Sequence, residues 1–440
     1  MKQDLLDLAA SAIQMAKSAG AADSRVNVFR ERSVEIDYRE RKPENIKEAS
    51  TRGLGIDIFV DGRYSSQSTS DLRPDALRDF IARAVASTKL LAEDPFRTLP
   101  DPKYYAGRAD VNLELVDPAY AQFTPEERHR LVKAIEAASL EKGGARVISV
   151  EASVGDAHSE SAMLTSNGFA GYTESTNYGA GAGVTMQDAG DRHPNGYNYV
   201  ASVARRGLPP AEEIGALAAQ RTLDLFGAKK LKTATLPVIV ENRNVPRLLS
   251  GLLAGFSGRN IQQKQSFLAD KKGQKIASNH LTLIDDPLIV GGLGSQLYDG
   301  DGFAARRRNV LEAGVLKEFY IDWYYSRKLG CEPTTGGHSN LIVPPGPRSV
   351  TEIMKDLGRG VLVNGFIGGN SNSTTGDMSV GITGTLFENG QPVQAVAEMN
   401  IAGNHLQLWQ RLVEVANDPW SYSSYRTPSL VFADVVVSGA

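Results

Sequence analysis

One cysteine, Cys331, is all that the 440 residues contain. An internal disulfide is therefore impossible and a thiolate metal cluster is excluded, which fits a reducing compartment. Net charge is equally scarce. The 48 Lys and Arg stand against 51 Asp and Glu with both signs intermixed, so there is no field for gripping a polyanion. The one arginine triplet, in "AARRRNVLEAG", reads as a solvated strand face, and nucleic-acid binding as the main task is disfavoured. No run approaches the roughly twenty apolar residues of a membrane-spanning helix. The opening "MKQDLLDLAASAIQMAKSAGA" reads as a helix rather than a signal peptide. Asp4 and Asp7 interrupt its apolar middle, while Leu5, Leu8, Ala9, Ile13 and Ala16 share one helical face. A first helix and a cytoplasmic protein are expected.

Recognisable catalytic signatures are missing as well. The six histidines are His129, His158, His193, His280, His338 and His405, and no two can share a helical turn. H-E-x-x-H, C-x-x-C and His-x-His are absent, so no zinc site is encoded locally, although one assembled from distant residues stays open. Walker A and G-x-S-x-G are absent too. His158 in "DAHSES" has a superficial likeness to a deaminase H-x-E, but that chemistry needs a later P-C-x-x-C. Asp299 and Asp301 in "YDGDGF" look like the start of a calcium loop that no acidic residue completes, and a surface turn is expected. Cys331 follows an expected helix end and has no identifiable base, which makes it an idle or buried thiol.

What is present is the composition of a folded protein. Hydrophobic residues at 41% and charged residues at 22% leave no case for wholesale disorder, and this length predicts two or three domains. After the first helix, "SRVNVFRERSVEIDYRER" alternates as a strand pair. "GLGIDIFVDGRYSSQSTS" reads as a hairpin turning at Asp61-Gly62. Helices follow from about Pro74 to Leu91 and after Thr124-Pro125-Glu126-Glu127, where threonine caps and proline takes the first position. Residues 146–204 read as an antiparallel meander. Within it Gly179, Gly181 and Gly183 leave one strand face bare, as though another element packs closely. A helix from Pro209-Pro210 leads to the linker "GAKKLKTAT". Two domains are expected on either side, both α+β: residues 1–228 with helices and antiparallel sheet, and residues 229–440, richer in strands.

Two segments carry the functional question. In "RLLSGLLAGFSGRN", Leu248, Leu249, Leu252, Leu253 and Phe256, with Val245 one turn earlier, follow the spacing of one buried helical face. The residues between them are small: Ser250, Gly251, Ala254 and Gly255. The Gly251/Gly255 step lets another backbone approach closely. In "GFIGGNSNSTTGDMSVGITG", glycines mix with Asn370, Ser371, Asn372, Ser373, Thr374, Thr375 and Asp377. Such a loop either turns freely between two strands or brings N–H groups and hydroxyls to an extended peptide or a partner.

Several phrases resemble the TldD/PmbA family in order and approximate spacing: "STRGLGIDIFVDGR", "SSQSTSDLRPDAL", "YYSRKLG", "TTGGHSNL", "TTGDMSVGITGTLFENG" and "EMNIAGNHLQLW". Its members are named as peptidases or as modulators of DNA gyrase. The resemblance implies a cytoplasmic two-domain α+β protein that works as a dimer around a large cavity. It also implies one of two branches. The TldD branch carries zinc on H-E-x-x-x-H, with a later cysteine as third ligand, and cleaves flexible peptides, as in microcin maturation and antitoxin turnover. The PmbA branch, also called TldE, lacks these ligands and pairs with TldD. Here Ser250, Gly251 and Gly255 stand where His, Glu and His would be, and no cysteine follows Pro419. The resemblance therefore implies a PmbA-type chain with no catalytic or metal-ligating residue of its own. Zinc is expected only in a TldD-type partner, and the gyrase name gains no support from the charge balance.

Three functions are compatible with these observations. One is a non-catalytic subunit of a peptide-processing heterodimer, with Asn370, Ser371, Ser373, Thr374 and Asp377 touching peptide or partner. Another is a stand-alone homodimeric peptide-binding or scaffold protein. The third is an enzyme built from scattered groups such as His338, Asp377 and Glu398.

Overall fold

The computed structural model describes residues 2–439. Helix α1 (Lys2–Ser18) leads into β1 (Asp23–Arg39), β2 (Lys42–Val60), β3 (Arg63–Thr69) and α2 (Pro74–Thr88). After an irregular stretch come α3 (Pro125–Gly143), β4 (Val147–Thr165), β5 (Ala170–Met186), β6 (Asn195–Ser202) and α4 (Ala211–Leu223). The six strands form one antiparallel sheet in the order β3-β2-β1-β4-β5-β6. The segment read as a strand pair is a single long strand. It reverses only at Glu40 and Arg41, both with positive φ, where the Arg41 N–H donates to Glu136 at 2.7 Å. Asp61-Gly62 makes the expected hairpin turn, with both residues at positive φ. Thr124 caps α3 in a reciprocal capping box with Glu127.

Alternation puts Val26, Val28, Val34 and Ile36 of β1 on the same face of the sheet. Two separate helical layers cover that face. At one end α1 and α2 bury Leu5, Ile13, Leu77 and Ile81 against Val26, Val28 and Ile56. At the other, α3 and α4 bury Val132, Ile135, Ile214 and Ala218 against Val34, Ile36, Val150 and Ala180. A polar band lies between them: Arg30 pairs with Glu160, which accepts from the Tyr172 hydroxyl at 2.6 Å, and His158 Nε2 meets Glu174 at 2.8 Å. The bare glycine strip faces the other way. Its space at Gly181 is taken by the Tyr199 ring of β6, whose Cδ1 lies 2.0 Å from where a Cβ would stand.

The remaining residues build β7 (Ala234–Val240), α5 (Val245–Leu253), α6 (Gly258–Gln262), β8 (Leu283–Asp285), β9 (Arg308–Glu312), β10 (Val315–Leu316), α7 (Trp323–Leu329), β11 (Leu341–Ile342) and α8 (Val350–Leu357). Then follow β12 (Arg359–Ser371), β13 (Asp377–Glu388), β14 (Gln391–Asn404), α9 (His405–Gln410), β15 (Leu412–Val415), β16 (Tyr425–Arg426) and β17 (Leu430–Ser438). The larger sheet runs β14-β13-β12-β7-β17-β15, and β14 also pairs with β17 through Asn400↔Ser438 and Ile401↔Val437. Five strands thus close into a small barrel. Its core takes Leu248, Leu249, Leu252 and Phe256 from the α5 region together with Val238, Val240, Ile382 and Phe432. A smaller sheet, β10-β9-β8-β11-β16, flanks it. The chain is a mixed α+β protein, with helices over antiparallel sheet in the N-terminal part and a strand-rich C-terminal part.

The turn holding Asp299 and Asp301 is not at the surface as expected. Asp299 is buried, accepts from the N–H groups of Asp301 and Phe303 and from the Thr335 hydroxyl, and burial raises its pKa. The turn is covered because the first sheet docks on it: Arg25 of β1 reaches Asp301 at 3.1 Å and Tyr298 packs on Phe169. Arg221 of α4 adds a fork to Glu241 at 2.5 and 2.9 Å. No helix is long and apolar enough to cross a membrane among the described residues.

Inside the sheet–helix layer, Arg128 grips Asp156 through two bonds at 2.5 and 2.8 Å, and the Asp156 side chain has no exposed surface. Arg128→Ala strands that carboxylate and is expected to cost about 3–5 kcal/mol, read as a lowered urea midpoint.

Candidate functional site

The helix expected over this stretch is interrupted. Helix α5 ends at Leu253, tightens into a 3-10 turn over Ala254–Phe256, and Ser257 is extended before α6 starts. Two glycines in five residues weaken helical continuation. The carbonyls released at the break are taken by side chains: Asn260 Nδ2 donates to Ala254 O at 2.7 Å and the Ser266 hydroxyl to Gly255 O at 2.5 Å. The leucine face is buried as its spacing predicted, with Leu249 and Leu252 fully covered. The opposite face meets the far end of the barrel.

There the segment read as a long loop is mostly hairpin. Strand β12 runs on to Ser371 and β13 starts at Asp377, leaving only residues 372–376 as the turn. Glycines hide the alternation in the sequence because several face backbone across the ladder. A Cβ on Gly381 would meet Ile367 O at 2.5 Å, and one on Gly384 would meet Leu362 O at 2.2 Å. Register slips at Ile367/Asn370 push out Gly368 and Gly369, both at positive φ. Beyond Val363, β12 pairs only with β13 among the described residues; on its other edge Arg221 donates to Asn364 O at 2.9 Å and Arg247 of α5 reaches Gly368 O and Gly369 O.

A cavity of about 230 Å³ lies between these elements. Helix α5 supplies Arg247, Leu248, Ser250 and Gly251; the hairpin supplies Phe366, Asn370, Ser371, Met378 and Val380; α9 supplies His405. Of the residues expected to touch peptide or partner, Asn370 and Ser371 line it. Ser373 and Asp377 border a more open hollow outside it. Thr374 lines neither; its N–H donates to the Asn372 side chain at 2.8 Å, which shapes the turn. Asp377 accepts from the Thr375 hydroxyl at 2.7 Å and Asn404 Nδ2 at 3.0 Å, which hold its pKa below the ordinary carboxylate value. His338, Asp377 and Glu398 do not converge: His338 packs between Tyr320 and Tyr425, and Glu398 pairs with Lys230 at 3.1 Å.

His405 is the residue that sequence reasoning passed over. It is 1% exposed, its Nε2 lies 3.1 Å from the Ser371 hydroxyl, its Nδ1 has no hydrogen-bond partner, and Phe267 stacks on its ring. Burial pulls its pKa down to about 4, so the imidazole is neutral at pH 7. Its Nε2 sits 2.3 Å from the point where a Cβ on Gly251 would stand. At Gly255 the same space is crowded by Leu268 Cδ1 at 2.9 Å and Phe267 Cε1 at 3.1 Å. Ser250 turns its hydroxyl back onto Arg247 O at 2.8 Å.

A catalytic zinc needs three side-chain ligands with imidazole, carboxylate or thiolate donors. Two of the three motif positions here have no side chain, and both spaces are filled by other residues. Among the described residues, no three His, Cys, Asp or Glu side chains are grouped to hold a metal ion. The residues present do not fit that group. A wider cleft, about 720 Å³, separates residues 111–118 from 292–298. Three acidic groups line it: Asp117 accepts from two N–H groups, Glu174 binds His158 and Tyr172, and Glu114 is exposed.

Three family models match the chain: PmbA/TldA metallopeptidase domain 1 over residues 26–88, the central domain over 119–226, and the C-terminal domain over 233–439. Metalloprotease PmbA of Escherichia coli O157:H7 is 29% identical over 440 residues, covering 99% of this chain and 96% of that protein. A Bacteroides thetaiotaomicron crystal structure, of a protein named for a proposed modulation of DNA gyrase, superposes with a TM-score of 0.96. It shares 38% identity and covers 99% of this chain and 98% of its own. TldE from Thermococcus kodakarensis shares the fold at a TM-score of 0.87 and 23% identity, covering 98% of this chain and all of its own.

Two outcomes are expected from this geometry. Gly251→Ala should gain about 1 kcal/mol of helix propensity yet lose about 1–3 kcal/mol to the buried ring, so thermal melts should show net destabilisation. As pH falls from about 6.5 towards 4, the unfolded chain protonates His405 while the folded chain resists. Stability therefore drops by up to about 3 kcal/mol across that window, and urea titrations of His405→Asn should lack this part of the slope.

Proposed function

Since this chain belongs to the PmbA/TldD family, we propose that it is a subunit without zinc chemistry of its own, which holds flexible peptide for a TldD-type partner that supplies the metal. The observation that carries this reading is the refilled motif. Ser250, Gly251 and Gly255 offer neither metal ligands nor a carboxylate to activate a metal-bound water, and His405 and Leu268 occupy the vacated space. The name metalloprotease belongs to the relatives. Similarity of this depth carries the fold, whereas chemistry depends on the side chains at the site. The peptide-holding half of the proposal is supported by the edge of β12 beside the cavity, which pairs with no strand beyond Val363 among the described residues, since an extended chain can add its backbone to such an edge. Pairing with a TldD-type chain is supported by the likeness to TldE and by the relatives named PmbA.

Native mass spectrometry with metal analysis on the same sample tests this. The purified chain should carry no stoichiometric zinc and cleave no flexible peptide. Mixed with a TldD-type chain, it should form a stable complex whose peptidase activity a chelator abolishes. Chelator-sensitive digestion by the isolated chain overturns the proposal, and recovery of self-complexes alone favours a homodimeric scaffold.

A further inference from the structure

The cavity beside α5 has an unbalanced set of charges. No Asp or Glu lines it, and one cation, Arg247, stands at its mouth. Among the described residues that guanidinium has no carboxylate partner; it reaches only Gly368 O and Gly369 O, at 3.5 and 3.4 Å. Most arginines around it are committed. Arg243 bonds to Asn198 and lies over the Trp420 ring, while Arg221 grips Glu241. The floor of the cavity is polar yet neutral: the buried His405, its Nδ1 unpartnered, and the Ser371 hydroxyl. The walls are apolar, from Leu248, Phe366, Met378 and Val380. The volume suits one side chain and a small charged group rather than a length of folded chain.

We propose that this cavity is a carboxylate subsite for bound peptide. Arg247 pairs with the carboxylate, Asn370 and Ser371 offer neutral hydrogen-bond donors, and an adjoining apolar side chain lies against Leu248, Phe366 and Met378. This rests on the reading above that the chain holds extended peptide, and it adds which end or which residue of the peptide is recognised. An arginine is suited to the task because its fork matches a carboxylate with two parallel bonds. The carboxylate comes from a chain terminus or from an acidic side chain, and the test separates the two.

The probe is a dansyl-labelled, unstructured peptide of Gly, Ser and Ala ending in Leu, the label bearing no carboxylate of its own. It is made in three forms: a free acid with no other carboxylate, the same peptide as its C-terminal amide, and the amide with one internal Glu. Fluorescence anisotropy is recorded with the full-length chain and with its complex. The free acid should bind about tenfold or more tightly than the amide if the terminus is read. The Glu-containing amide should regain that affinity if an acidic side chain serves. Arg247→Gln should abolish the difference and Arg247→Lys should keep part of it, with unchanged melting curves because Arg247 is exposed. Equal binding of all three forms overturns the carboxylate subsite and leaves peptide holding intact, as does discrimination that survives Arg247→Gln. If no form binds either the chain or its complex, peptide holding itself falls.

Discussion

The ring of His405 rests against the bare Cα of Gly251, and much of the C-terminal half is arranged around that contact. Helix α5 must present a full leucine face to the barrel core. On its other face it must leave room for an imidazole and for the β12–β13 hairpin. Small residues at 250, 251, 254 and 255 allow the approach, and the helix tightens and breaks where they end. The ring is held on the opposite side by Phe267 and at its tip by Ser371, so no cheap rotation relieves a larger residue at 251. One contact thus sets both which residues fit at positions 250–255 and the size of the cavity.

Local signals in the sequence were strong where short-range chemistry decides. Thr124-Pro125 with Glu127 and Asp61-Gly62 each mark a boundary found in the fold, because caps and positive-φ turns are specified by a few adjacent residues. Segment 365–384 reads as loop in the sequence for the opposite reason. A strand is recognised by alternating side chains, and at Gly381 and Gly384 the neighbour that demands glycine is backbone on another strand. The closure of β14 onto β17 leaves no local trace either, since it joins residues nearly forty positions apart through two pairs.

The candidate site was half legible. That Ser250, Gly251 and Gly255 carry no imidazole, carboxylate or thiolate is read directly from the sequence, and Asn370 and Ser371 do border the same space. What the sequence withheld is that the space has been reoccupied. His405 lies about 150 positions from Gly251, and nothing in "GNHLQLW" sets it apart from any other histidine at the start of a short helix. The burial of Asp299 leaves no local signal for a related reason: what covers its turn is the N-terminal sheet, far away in sequence.

The first two matched modules, residues 26–88 and 119–226, do not each own a sheet. Strand β1 of one and β4 of the other are bonded side by side from Arg25↔Thr165 to Arg39↔Glu151, and α3 of the second module packs partly on β1 of the first. Cutting the gene between them would expose two long ragged edges, each able to zip onto any passing strand. The two pieces thus form a single indivisible plank, in which neither keeps its long edge covered without the other.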